Sequence, residues 1–147
     1  MTTAWLMLKL LHLLGMALMI GAEAVKITLV AAARSNAALS PVYLRVAKPV
    51  TRLIVLGLAL AILSGIGWIA LGRPFTPVLL AKLVLVVALG ASGAFIDKVV
   101  EPRFARLAAE AGTAASPELA RIGRQYLAVE IAATALTCAI AVLGVLL

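Results

Sequence analysis

Seven side chains form a line along the first apolar stretch of the chain: Trp5, Lys9, His12, Met16, Met19, Glu23 and Lys26. Their intervals alternate between four and three residues, so an α-helix gathers them on one face. Leu6, Leu10, Leu11, Leu13, Leu14, Leu18 and Ile20 fill the remaining faces. A stretch this apolar reads as a membrane span, where an ionisable group is costly unless it points at a partner. His12 is the only histidine, and it stands between a lysine and two thioethers.

Two kinds of chemistry suit that line. Neutral imidazole in an apolar site is a haem-iron ligand, and nearby basic residues can pair with porphyrin carboxylates. All four methionines, Met1, Met7, Met16 and Met19, lie on or before the first helix. None can therefore take the opposite face of a haem held by His12. A second axial ligand would come from Lys82, from another subunit of a homo-oligomer, or be absent. Copper is the competing reading, because His12 with Met16 and Met19 makes a soft face suited to Cu(I). A methionine stripe used only for packing is the plainer account.

The residues outside this line sort by depth. His12 lies about seven residues, or ~10 Å, into the first helix, and Lys82 enters the third span to a similar depth. Lys9, His12 and Lys82 form one expected polar layer. It has no counter-charge of its own, so a small anionic ligand, porphyrin-type or other, would supply it. Glu23, Lys26, Arg52 and Glu130 form a second expected layer near the opposite ends of the helices. Pairing and snorkelling of charges at a span boundary explain that layer without any catalytic role.

Four spans must position these groups, at about 5–30, 50–71, 77–96 and 127–147, each long enough to cross ~30 Å of hydrocarbon. Residues 1–147 thus read as one all-α domain, an up-and-down bundle of four helices. With 65% hydrophobic and 13% charged residues, the composition is that of a protein embedded in a lipid bilayer. The first span begins without a basic leader and contains Glu23, which favours a retained helix over a cleaved signal.

A net charge of +7 is here no sign of nucleic-acid binding, because the basic residues cluster between spans. Lys26, Arg34, Arg45, Lys48 and Arg52 sit in the 1–2 connection and its flanks, and Lys98, Arg103, Arg106, Arg121 and Arg124 in the 3–4 connection. The 2–3 connection has only Arg73. That asymmetry puts connections 1–2 and 3–4 in the cytoplasm and both termini on the outer side of the inner (plasma) membrane. Ser40-Pro41 and Ser116-Pro117 each read as a capping hydroxyl followed by proline at the first helical position. A helix break is expected over 112–116. Gly57, Ala61 and Gly65 form a small-residue stripe on the second span, with Ser64 and Trp68 beside it. Gly123, Tyr126, Glu130, Ala133 and Thr137 form a comparable seam on the fourth. Cys138 is the only cysteine, which excludes an intramolecular disulfide, and no CxxCH haem-attachment motif is present.

The Lys9-x-x-His12 core, the small residues after it, Ser64-Gly65-Ile66-Gly67-Trp68 and Ala81-Lys82-Leu83 together resemble the HemJ/CopD-like superfamily of small four-helix membrane proteins. The resemblance covers helices 1 to 3. It implies a haem-binding oxidoreductase like the HemJ-type protoporphyrinogen oxidases, with haem b as cofactor. His12 and Lys82 would then be the essential pair, with Lys9 assisting at the mouth. The CopD branch instead implies copper binding or transport, and other relatives imply a membrane protein without catalytic activity. HemJ-type sequences follow the histidine with an aromatic-rich stretch ending in arginine and Tyr-His; here residues 15–26 are aliphatic and carry Glu23.

Overall fold

The computed structural model describes residues 3–111 and 116–145, so the break expected over 112–116 falls almost wholly outside the described residues. The chain is helical throughout, with no strand among the described residues. Helix α1 runs Thr3–Ser35, α2 Ser40–Ala70, α3 Pro77–Phe95, α4 Glu101–Ala111 and α5 Pro117–Val145. Four stretches, Thr3–Ser35, Ala37–Ala70, Pro77–Ala111 and Pro117–Gly144, are long and apolar enough to cross a membrane. Each of these stretches runs well past the expected span at the end that carries the 1–2 or 3–4 connection. Arg34, Arg45, Arg103 and Arg121 lie on these polar extensions.

The contacts fix the helix directions. The early part of α1 meets the late part of α2 and the early part of α3, through His12, Ser64 and Lys82. The later part of α1 meets the early part of α2, through Lys26 and Thr51. Neighbours in sequence therefore run antiparallel, which gives the up-and-down bundle. Helix α1 packs along α2 and α5, α5 also carries α3 and α4, and α2 and α3 barely touch.

Burial is inverted relative to a water-soluble bundle. Leu14, Leu63 and Val87 are more than half exposed, whereas Glu23, Lys26, Ser64, Glu130 and Thr137 are buried. This pattern is compatible with a bundle that spans a membrane, since in lipid an exposed leucine has nothing to gain by turning inward.

Two local devices shape the bundle. The first lies between α3 and α4, where residues Ile96–Val100 form a π-turn with the Glu101 N–H bonded to the Ile96 carbonyl. Pro102 lacks the N–H that would bond to Lys98, so the ladder shifts by one residue there rather than breaking. Glu101 begins the new register facing the bundle. The second is the start of α2. The Ser40 hydroxyl does not cap it, contrary to expectation. Asn36 instead caps a 3₁₀ turn over Ala37–Leu39 by accepting from the Ala38 N–H, and the chain enters α2 through that turn. Ser40 is already helical and buried, with its hydroxyl unpartnered. Ser116 behaves as expected and accepts from the Leu119 N–H at 3.3 Å.

Candidate functional site

Helices α1 and α2 can bring His12 deep into their interface because they touch backbone to backbone just below it, at Gly15 and Gly57. One turn nearer the start of α1, the imidazole meets the last turns of α2. Its Nδ1 lies 3.0 Å from the Ala61 carbonyl oxygen and 2.9 Å from the Ser64 Oγ. A carbonyl can only accept, so Nδ1 carries the proton and donates. Ser64 donates its own hydrogen to the Leu60 carbonyl at 2.6 Å, leaving its lone pairs to face the imidazole. The ring's tautomer and orientation are thus set by α2, and Nε2 is left bare toward α3.

Lys82 occupies that side. Its Nζ stands 3.4 Å from Nε2, a donor opposite an acceptor. The space for the ammonium comes from α5, where a Cβ on Gly144 would lie 3.1 Å from Nζ. Trp68 tilts against the imidazole with ring centroids 5.1 Å apart and stacks on Trp5 at 6.1 Å. The Arg73 guanidinium covers the other part of the Trp68 ring at 5.3 Å. Trp68 Nε1 is buried and has no hydrogen-bond partner. Trp5 and Arg73 also line a cavity of about 320 Å³ at this end of the bundle. Around the His12 Nε2 acceptor stand three donor groups: an ammonium, a guanidinium and an orphaned indole N–H. All six acidic residues lie at position 23 or later on α1, or at 97, 101, 110, 118 and 130, away from this end.

The structure therefore brings His12 and Lys82 together. Lys9, one turn before His12, is exposed and makes no hydrogen bond or ion pair among the described residues. Met19 is fully buried against Gly57 and lines a different cavity, and Met16 packs against the apolar core. Among the described residues no three His, Cys, Asp or Glu side chains converge as a metal cage.

The second polar layer is centred on Lys26. Its ammonium lies 2.6 Å from Glu101 Oε2 and 3.2 Å from Glu130 Oε1, and it donates to Thr51 Oγ1 at 3.0 Å. Thr51, Glu101 and Glu130 thus surround the ammonium. Glu101 also accepts from Tyr126 at 3.1 Å and Thr51 at 3.3 Å. Tyr43, Phe104 and Tyr126 pack edge to face behind it, with centroids 4.9 to 6.5 Å apart. Glu23 stands apart from this network, and one of its oxygens accepts from Thr137 at 3.0 Å.

Sequence reasoning grouped Glu23, Lys26 and Glu130 but also placed Arg52 with them. Arg52 is exposed and makes no ion pair with the cluster among the described residues. Glu101 takes the position expected for a further charge. No reading of the sequence placed Glu101 there, and it begins the helical register that follows the π-turn. Ser64 and Tyr126 read as packing residues and prove to be hydrogen-bond partners, while Trp68 packs its ring on the His12 imidazole. In comparisons with known proteins, no family model, no curated protein and no solved structure matches the chain.

Proposed function

We propose that this chain is a multi-pass protein of the inner membrane, with connections 1–2 and 3–4 in the cytoplasm. In this reading it is a haem-binding oxidoreductase of the kind its resemblance to HemJ-type protoporphyrinogen oxidases implies. The observation that carries the reading is the His12–Lys82 pair: an imidazole with Nδ1 tied to a backbone carbonyl and Nε2 turned toward the Lys82 ammonium, beside a cluster of donors without a carboxylate. A locked Nδ1–H is the usual second-shell arrangement of a metal-ligating histidine.

The donor set fits a haem. His12 Nε2 would hold the iron, while Lys82, Arg73 and the unpartnered Trp68 N–H would meet the porphyrin's carboxylates. Haem, when bound, supplies the electron transfer needed to oxidise a hydrogen-rich porphyrin. The chain's own part is to bind and orient: α2 fixes the imidazole, Trp5 and Trp68 exclude water, and Lys82 binds a carboxylate or passes a proton. Lys9 stands at the exposed edge, where it would draw in an anionic substrate.

An absorption spectrum of detergent-purified protein, expressed with haem supply, tests the reading. Wild type should show a Soret band, His12→Ala should lose it, and Met16→Leu with Met19→Leu should keep it. No Soret band in wild type removes the haem reading. Copper bound by wild type and lost with the two methionines would instead favour a CopD-like function.

A further inference from the structure

Where α2 and α3 part, a cavity of about 260 Å³ runs in from the bundle surface to Glu23 and Glu130. Its walls are apolar, with Ile54 and Leu58 on one side and Leu89 on the other. Gly90 and Gly93 form part of the α3 wall, and a Cβ on either would meet nothing within 4 Å. These glycines therefore serve no close helix contact and leave the cleft open. At the inner end the carboxyl groups are not matched. Glu23 is 3% exposed, and its Oε2 has no hydrogen-bond partner. Thr134 stands beside Glu23 but outside hydrogen-bonding geometry with it. Glu130 Oε1 lies near Lys26 but off the direction of a hydrogen bond.

Lys26 makes no ion pair or hydrogen bond with Glu23, because its ammonium is turned to Thr51, Glu101 and Glu130. Among the described residues it is also the only basic side chain lining the cavity. Glu23, Glu101 and Glu130, with Asp97 at the exposed edge, thus share one ammonium. A buried carboxylate oxygen without a partner is strongly disfavoured, whereas a donor brought by a ligand would satisfy it. The cavity exceeds the ~150 Å³ that holds a benzene ring in a protein interior. Its apolar length suits a hydrocarbon body, and its end suits a cationic N–H group.

We propose that this cleft binds a small amphipathic organic cation, a primary ammonium on an apolar chain, with Glu23 as the pairing carboxylate. The site is separate from the His12–Lys82 pair and does not depend on the haem reading.

Titration of purified protein in detergent with n-hexylammonium, followed by calorimetry and by thermal unfolding, tests it. Binding should saturate in wild type and weaken about 10-fold or more in Glu23→Gln, the scale of one lost charge-assisted hydrogen bond. Gly90→Leu, which fills the cleft and keeps every carboxylate, should also abolish binding. This second variant decides the matter if Glu23→Gln fails to fold. Equal binding by wild type and either folded variant overturns the proposal. So does hexan-1-ol binding as tightly as hexylammonium, which would mean an apolar cavity only. Potassium chloride producing the same Glu23-dependent stabilisation would mean an inorganic cation site and would overturn it as well. Absence of any saturable signal from hexylammonium ends it outright.

Discussion

Gly15 and Gly57 meet with no side chain between them. A Cβ on Gly15 would stand 2.7 Å from the Gly57 carbonyl oxygen, and one on Gly57 would stand 2.6 Å from the Gly15 carbonyl oxygen. Both clashes are with backbone, which cannot rotate aside. Gly15→Ala or Gly57→Ala should therefore cost about 1–3 kcal/mol by forcing α1 and α2 apart. Gly21→Ala and Gly65→Ala are the controls, because a Cβ there meets nothing within 4 Å. These should be neutral or gain up to about 1 kcal/mol from helix propensity. Unfolding in mixed micelles measures all four. Equal losses at Gly57 and Gly65 would contradict the crossing.

His12 should exist as the Nδ1–H tautomer, because Nδ1 faces a carbonyl that can only accept. Nitrogen-15 spectra of the labelled imidazole distinguish the two ring nitrogens. Ser64→Ala should leave the tautomer unchanged, since the Ala61 carbonyl remains. Lys82→Met should alter the Nε2 signal alone, having removed the donor 3.4 Å from it. A protonated Nε2 in a neutral ring would refute the arrangement.

The Lys26 cluster should be strongly context-dependent. Lys26→Met leaves buried Glu130 and partly buried Glu101 without their shared cation, a loss of about 3–5 kcal/mol. Combining it with Glu101→Gln and Glu130→Gln should recover most of that loss. Tyr126→Phe removes one hydrogen bond to Glu101, and about 1.5–3 kcal/mol with it. Denaturation of the single and combined variants gives the coupling directly. Simple additivity would show that the ion pairs are not formed together.

Topology has its own test. In a Cys138→Ala background, needed because Cys138 is exposed, Arg73→Cys should react with an impermeant maleimide in intact cells. Arg45→Cys should react only after permeabilisation. The opposite pattern would invert the orientation that the basic connections imply.

How far these features were legible in the sequence depended on their range. Residues that act through their own helix were readable: the stripe from Trp5 to Lys26 follows from 3.6-residue periodicity, and the Ser116 cap from a local hydroxyl and proline. The seam of Gly123, Tyr126, Glu130, Ala133 and Thr137 likewise proves to be buried. Ser40 does not cap α2 because the chain enters that helix through a 3₁₀ turn, and Arg52 is exposed while its neighbour Thr51 is the α2 residue that meets Lys26. Gly65 belongs to the same i, i+4 pattern as Gly57 yet packs against nothing. Spacing names a face of a helix but does not say where along that face its partner crosses.

The sequence alone determined four long apolar helices, since length and hydropathy are properties of each segment, and it placed a histidine and a lysine at matching depth. Tertiary structure decided that Nδ1 is the proton-bearing nitrogen, that Glu101 rather than Arg52 joins Lys26, and that one oxygen of Glu23 is left without a partner. Each of these depends on atoms from helices far apart in the chain, so only the packing of the helices could settle them.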